Sequence, residues 1–459
     1  MKPLLDTDKL IDNSKTIHMI GIGGAGMCPL AEILHSQGHI ITGSDNNPSD
    51  PLNRIISLGI PVTLGHKPEN VHGADLIIYS AAIMKTNAEL QEAERLGIPM
   101  LERSYLLGAI TRKYDNCIGV CGTHGKTTAT SMITQILLES NCDPSAVIGG
   151  KLPKINSYCT VGKSETIVVE SCEYVDTFLK ETPDVAVLLN VDSDHMEYFK
   201  TMERLVESFN KFLSMAHTVI VNGDDKYSMM ATKGLTNNII TFGLDKSNTY
   251  YADNITLVNG AFAKYDLFKQ GEFLCQIELS VPGEHNILNS LAAAVAAINS
   301  GADIEAVKVA LKQFAGAGRR FEVLYNKDGI TIADDYAHHP TELTVTLSAA
   351  KQMNYKRLIA VFQPFTFSRT AMLLDDFAKS LNIADLCLLS PIMGSREINT
   401  YNIESKHLAD KIDNCLCFDN FDEIVDYLYN NIKQGDLIIS LGCGDIYKAT
   451  KSLIKKLEN

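Results

Sequence analysis

The sequence predicts an α/β protein built of three consecutive domains, and three observations lead there. Short apolar segments alternate with helix-length ones from end to end, the pattern of parallel strands covered on both faces. Two glycine-rich turns, GIGGAG (Gly21–Gly26) and GTHGKTT (Gly122–Thr128), each stand between such a strand and a helix. A chain of 459 residues is also too long for one ordinary core, so about two to four domains are expected.

The elements support this in order. TIHMIGIGGAGMCPLAEILHSQG reads as strand, glycine turn and helix; HIITGSD is a second strand ending in an acid, DLIIYSAAI a third, and GIPML a fourth. The pattern pauses at TRKYDN (Thr111–Asn116) and restarts with CIGVCG. From there to Gly318, ETIVVE, VAVLLNV, TVIVNGD and TNNIITFG mark the strands of a larger domain. YADNITLVNGAFAKYDLF and GEFLCQIELSVPG alternate as an antiparallel excursion, and HNILNSLAAAVAAINSG is an Ala-rich helix closed by Gly301. A third domain starts near Arg319, where GITIADD, RLIAVFQP, DLCLLSP and GDLIISLG read as strands of another parallel sheet. The expected domains are therefore 1–112, 113–318 and 319–459.

Composition narrows the function classes. With 41 Lys and Arg against 55 Asp and Glu, the formal charge is −14. No basic patch is interleaved with aromatics, which opposes general binding to nucleic acid or an anionic membrane surface. The 11 cysteines lack CxxC pairs and many lie in apolar runs, so reduced, buried thiols of a cytoplasmic protein are expected rather than a metal or disulfide framework. The N-terminal residues carry acids where a secretory segment is apolar, and no run reaches the ~18 apolar residues of a membrane span.

The glycine turns carry the chemistry. GIGGAG satisfies G-x-G-x-x-G, and Asp45 ends the next strand. Small residues let phosphates approach backbone N–H groups at a helix N-terminus, and an acid on the second strand accepts hydrogen bonds from a ribose. The alternative is a tight strand-to-helix turn without a ligand. GTHGKTT departs from the common phosphate loop because Val120, not Gly, stands five residues before Gly125. Gly122 and Gly125 still open a loop of N–H donors, Lys126 reaches terminal phosphate oxygens, and the Thr127 hydroxyl completes a magnesium shell. ATP binding is the expectation. Acids for Mg²⁺ are offered after two strands: Glu170, Glu173 and Asp176 at helical spacing in VVESCEYVDTFL, and Asp192, Asp194 and His195 in LLNVDSDHMEYF. Each could equally be a cap or a solvated face.

Taken with PGEHNILNSLAA, GAGRRFE, DDYAHHPTE, FQPFTFSRT and GCGDI, these motifs make the chain resemble the ATP-dependent Mur ligases along essentially its whole length. The resemblance implies a Rossmann-like N-terminal domain, a central P-loop ATPase-like domain with a mixed sheet, and a Rossmann-like C-terminal domain. It implies ligation of L-alanine to the lactyl carboxylate of UDP-N-acetylmuramate through an acyl phosphate, with ATP and Mg²⁺, in a monomer or homodimer.

On that pattern Gly23, Gly24, Ala25 and Gly26 meet the diphosphate, with Asp45 and Ser80 near the uridine end. Gly122, Thr123, His124, Gly125, Lys126, Thr127 and Thr128 hold ATP phosphates. Thr127 and Glu173 bind one magnesium and His195 lies near a second. Asn286 and Asn289 meet the adenine, and Arg320 and Asp335 meet phosphate and ribose. His338, Arg369, Arg396 and Glu397 lie nearest the amino acid; Lys126, Glu173, His195 and Arg320 are the catalytic candidates.

Four places depart from the family pattern. Phe365 stands where His is usual, Glu102 occupies an Arg place with Arg103 shifted by one, Met393 replaces an aromatic, and Cys443 fills a small-residue spot. These bear on substrate selection more than on reaction type. The nearest alternative within the family joins a ready-made murein tripeptide to the same sugar nucleotide. A nucleotide-dependent oxidoreductase would explain GIGGAG but leave GTHGKTT idle. A non-catalytic relative would have lost a phosphate or metal residue, and none is missing.

Overall fold

A computed structural model describes residues 5–395 and 397–458; Arg396 therefore lies outside the described residues. It has a three-domain α/β architecture with mixed sheets. The first sheet holds Thr16–Ile20 (β1), Ile40–Asp45 (β2), Val62–Leu64 (β3), Leu76–Tyr79 (β4) and Met100–Glu102 (β5) in the order β3-β2-β1-β4-β5. All its pairings are parallel, with Ile17 opposite both Ile41 and Leu76. The order reverses between β1 and β4, which opens a crevice beyond their carboxyl ends.

The central sheet is built from Asn116–Cys121 (β6), Ser145–Leu152 (β7), Ser157–Thr160 (β8), Thr166–Glu170 (β9), Val185–Leu188 (β10), Thr218–Asn222 (β11) and Asn238–Gly243 (β12). They run in the order β12-β11-β10-β6-β9-β7-β8. β6 has parallel neighbours on both sides, β9 and β10, so its end is a second reversal point. β8 runs antiparallel to β7, which makes the sheet mixed. Tyr250–Val258 (β13), Phe262–Lys269 (β14) and Glu272–Pro282 (β15) follow as a meander. Its turns, Asn259-Gly260 and Gln270-Gly271, have both residues at positive φ, as two-residue hairpins require.

The third sheet orders Glu322–Lys327 (β16), Ile330–Asp335 (β17), Arg357–Phe362 (β18), Leu386–Leu389 (β19), Cys415–Cys417 (β20) and Asp436–Leu441 (β21) as β16-β17-β21-β18-β19-β20. It is not purely parallel as expected: β16 pairs antiparallel with β17 through an Asp328-Gly329 turn at φ 55° and 72°.

The described chain packs as two compact units. One contains the residues up to Asp253 together with Asp266–Gln276 and Leu288–Leu311; the other contains Asn254–Tyr265, Ile277–Ile287 and the chain from Lys312 on. In the first unit, Ile17, Ile33 and Leu106 share a core with Cys117, Val147 and Ile167, so the first two sheets are fused by buried apolar surface. A buried ion pair lies beside that junction, Arg112 Nε donating to Asp8 at 2.8 Å, and Arg112 Nη1 reaches across it to the carbonyl of Lys180 at 3.0 Å. In the second unit, helices cover both faces of the third sheet. Among the described residues no helix is long and apolar enough to cross a membrane.

One polar cluster interrupts the first core. Glu89, fully buried at the start of helix Ala88–Leu96, accepts from Ser44 Oγ at 2.6 Å and from Asn70 Nδ2, and lies 3.0 Å from His66 Nδ1. His18 Nε2 stands at 3.7 Å, an ion contact rather than a hydrogen bond. Burial raises the carboxyl's pKa, but these partners outweigh it and bring it from 4.5 to about 2. A depressed carboxyl stabilises the fold above its unfolded pKa, and that contribution fades as pH falls from 4.5 through about 2. Glu89→Gln is expected to cost on the order of 2–3 kcal/mol at neutral pH and to flatten this acid limb in urea unfolding at graded pH.

Candidate active site

The loop Gly122–Gly125 leaves the end of β6 and enters helix Lys126–Glu139. Gly125 sits at φ 86°, and a Cβ there would collide with Asn289 Oδ1; Gly122, at φ 131°, packs against the Asn190 backbone. Both positions need glycine. Asn190, just past β10, braces the loop with its amide: it accepts from His124 N at 2.8 Å and donates to His124 O at 3.0 Å. Thr123 adds Asp192 N to its hydroxyl at 2.9 Å.

Lys126 turns back into this loop. Its Nζ donates to Gly122 O at 2.6 Å, Thr123 O at 3.0 Å and Glu173 Oε1 at 3.2 Å. Burial opposes its charge, but the Glu173 carboxylate prevails and holds the ammonium pKa above its ordinary value. Glu173 Oε2 lies 3.0 Å from Nζ yet outside hydrogen-bond geometry, so this buried oxygen has no hydrogen-bond partner among the described residues. Thr127 is buried one residue further along the helix.

The other acids are placed differently from the helical spacing expected. Val175 and Asp176 stand at φ 55° and 56°, which breaks any regular helix after Glu173. Glu170 instead accepts from Gly149 N at 3.0 Å, and Asp176 from Tyr198 Oη at 2.6 Å. Of the three, Glu173 is the one that hydrogen-bonds Lys126 among the described residues. His195, at φ 56°, precedes the short helix Met196–Phe199; its ring lies tilted against that of Tyr174, 4.6 Å between centroids, and its buried Nδ1, without a hydrogen-bond partner among the described residues, stands 3.5 Å from Glu197 Oε1. The Glu173 carboxylate and the Thr127 hydroxyl on the first helical turn are oxygen donors of the kind Mg²⁺ prefers, and an ion bound there would draw its other oxygens from phosphates and water, since no cluster of three metal-binding side chains occurs among the described residues.

The first glycine loop lies over the other reversal point. Gly23 N donates to Asp45 Oδ2 at 2.9 Å, which closes the loop, while Asn47 N donates to Oδ1 at 3.1 Å and fixes the carboxylate in its own turn. Ser80 follows β4 beside Gly21, and Gly24 and Ala25 are exposed. A Cβ on Gly26 would come 3.2 Å from Arg103 Nη1. Arg103 thus faces this loop from the first turn of helix Arg103–Arg112, and no acid among the described residues forms an ion pair with it. By the family pattern it stands one residue from the usual Arg place. The signal that would have found it is its place at the end of β5, on the same sheet edge as the loop.

In the second unit, Asp335 ends β17 and accepts from Phe321 N and Ala337 N, both at 2.8 Å. Arg320 lies over the Tyr336 ring at 5.2 Å. His338 Nδ1 stands 3.0 Å from Tyr336 O and 3.2 Å from Glu342 Oε2, with its pKa lowered by burial. Asn286 donates to Pro282 O at 2.8 Å. Glu397 accepts from Ser368 N at 2.8 Å, at the start of the helix Phe367–Met372 that carries Arg369. Phe365 and Met393, two of the departures, face each other across a parallel bridge. All 11 cysteines are free thiols, six of them buried.

Two nucleotide-type loops over two sheet reversal points, one with a lysine and an acid in contact at a helix start, define a phosphoryl-handling α/β enzyme fold. Family models match nearly the whole chain: the Mur ligase family catalytic domain over 16–115, the Mur ligase middle domain over 120–297, and the Mur ligase glutamate ligase domain over 319–444. The chain belongs to the Mur ligase family. It is 43% identical over 453 residues to the UDP-N-acetylmuramate–L-alanine ligase of Caldanaerobacter subterraneus subsp. tengcongensis, covering 97% of this chain and 98% of that one. It is 42% identical to the enzyme of the same name from Acetivibrio thermocellus, over 98% of this chain and 97% of the relative. A solved UDP-N-acetylmuramate–alanine ligase from Thermotoga maritima superposes with a TM-score of 0.85 at 26% identity, covering 97% and 99% of the two chains. A murein peptide ligase from Psychrobacter arcticus shares the fold, with a TM-score of 0.76 at 24% identity over 97% and 99%.

Asp335 offers a pH test. Burial raises its pKa from 3.8 to about 6, against the pull of Arg320. A raised carboxyl pKa means that stability is lost as pH rises from 3.8 through about 6. Asp335→Asn removes that loss. Its stability relative to the parent is therefore expected to climb by about 2–3 kcal/mol between these pH values and then level off, read by chemical unfolding; a flat difference would mean that the carboxylate is not held in this environment.

Proposed function

We propose that this protein joins L-alanine to the lactyl carboxylate of UDP-N-acetylmuramate at the expense of ATP, releasing ADP and phosphate. The observation that carries the reading is the junction at the end of β6, where Lys126 meets Glu173 in a glycine-cradled loop and Thr127 follows on the same helix. The relatives bearing this activity's name, alike over the whole chain, supply the substrates.

A carboxylate and an amine do not condense in water because the leaving oxygen is poor. Phosphorylating the carboxylate makes that oxygen part of a good leaving group. In this reading Lys126 enters the reaction charged, held so by Glu173, and exchanges its loop carbonyls for γ-phosphoryl oxygens, while the first N–H groups of helix Lys126–Glu139 meet the phosphates. Asn190 keeps the loop open. Thr127 and Glu173 would hold one Mg²⁺ and His195 would lie near a second, ions that when bound neutralise charge on the transferring group. The neutral amine of alanine then attacks the acyl phosphate carbon, and phosphate leaves.

Gly23, Gly24, Ala25, Gly26, Asp45 and Ser80, with Arg103, are proposed to receive the sugar nucleotide. The roles that the resemblance gives to Asn286, Asn289, Arg320, Asp335, His338, Arg369 and Glu397 belong to the same proposal, as do the domain limits 1–112, 113–318 and 319–459 and a cytoplasmic setting.

The test is phosphate release in ATP, Mg²⁺ and UDP-N-acetylmuramate with L-alanine or with a murein tripeptide as acceptor. Release with L-alanine supports the reading; release with the tripeptide alone overturns it in favour of the recycling-type ligase. Two variants should split the loops. Lys126→Ala is expected to lower turnover at least ~10³-fold with sugar-nucleotide affinity nearly unchanged. Arg103→Ala should raise the KM for the sugar nucleotide by about 10-fold, the worth of one charged hydrogen bond, and leave the KM for ATP in place.

A further inference from the structure

Glu173 and His195 arrive from different strands, β9 and β10, and something must fix their separation. Asp176 occupies the place to do it. Its carboxylate accepts from Tyr198 Oη at 2.6 Å and from Ser208 Oγ. Tyr198 lies on the helix Met196–Phe199 that His195 begins, and Ser208 on the following helix, Met202–Ser214. On its own side Asp176 N donates to Glu173 O at 2.9 Å, closing the turn that presents Glu173 to Lys126.

That turn is strained. Val175, a β-branched residue, sits at φ 55° and Asp176 at 56°; across the tie His195 is at 56° and Lys200 at 67°. Non-glycine residues hold the left-handed region only where the surroundings over-determine them, and such strain gathers at functional sites. The ring contact of Tyr174 with His195, 4.6 Å between centroids, is a second link between the same two segments. Among the described residues neither Asp176 nor Tyr198 forms a hydrogen bond or ion pair with Lys126, so their effect runs through the residues that they hold.

Resting on the function proposed above, we infer that Asp176, through Tyr198, is a positioning residue that locks the Glu173 turn to the His195 helix and so sets the spacing of the two Mg²⁺-binding side chains. Loss of the tie lets each segment relax toward ordinary backbone angles and separates the donors. The sugar-nucleotide loop, on another sheet, is untouched.

The test uses the full chain with Asp176→Asn and Tyr198→Phe, singly and together, and Glu173→Gln as a control. Mn²⁺ in the presence of ADP is the binding probe, titrated by electron paramagnetic resonance; the Mg²⁺ dependence of phosphate release is the second readout. Each single variant is expected to weaken Mn²⁺ binding about 5- to 20-fold and to raise the half-saturating Mg²⁺ by a similar factor. The KM for the sugar nucleotide should stay within about 2-fold, and the double variant should be no worse than either single one, since both remove one tie. Tyr198→Phe, the milder change, keeps the test open if Asp176→Asn folds poorly. Unchanged Mn²⁺ and Mg²⁺ dependence with lowered thermal stability would overturn the inference and leave Asp176 a structural residue. If Glu173→Gln also leaves Mn²⁺ binding intact, the metal reading of the site itself fails, an outcome separable from failure of the tie.

Discussion

The structure around β6 depends on one buried ion pair, Lys126 with Glu173. An ammonium taken out of water must be met by several acceptors or lose its charge. Here two loop carbonyls and one carboxylate meet it, and that requirement dictates much else. The carbonyls of Gly122 and Thr123 turn inward only because Gly122 and Gly125 adopt angles that other residues resist. The carboxylate reaches Nζ only because β9 lies directly beside β6. The charge kept in this way is the one a transferring phosphoryl group needs.

The same economy appears on the other flank. β10 lies on the opposite side of β6 and delivers Asn190 to the loop backbone and His195 beyond it. Placing the loop strand between the two strands that carry its partners makes a sheet reversal into a site, without any long-range loop. The first sheet repeats the scheme at lower charge: Asp45 closes GIGGAG from β2, Ser80 stands after β4, and Arg103 comes from the end of β5. Two sites thus rest on one architectural device, and a shared apolar core makes the two sheets one body.

Much of this was legible in the sequence, for identifiable reasons. The glycine turns were legible because glycine at a strand-to-helix junction has few other uses, and most parallel strands because burial on both faces makes them uniformly apolar. Short or half-exposed strands were not: Val62–Leu64 and Cys415–Cys417 show little buried face, and β7 carries two glycines that weaken its signal. β16 was missed although Asp328-Gly329 is a hairpin signature, since its own residues are mostly exposed or half-buried. The acids after β9 misled because a spacing of three suggests a helix, whereas Val175 and Asp176 take left-handed angles that no residue-type preference foretells. Arg103 was undervalued because its partner is a loop eighty residues away in sequence, roughly, brought near only by the parallel order of the sheet.

The central claim is that the phosphoryl group held at the Lys126 loop passes to the substrate carboxylate and not to water. It is tested most directly with UDP-N-acetylmuramate labelled with ¹⁸O in both oxygens of its lactyl carboxylate, turned over with ATP and L-alanine. Mass analysis of the released phosphate should show one ¹⁸O per molecule, carried over when the acyl phosphate is opened by the amine. Phosphate free of label, formed at the same rate as product, would contradict the account.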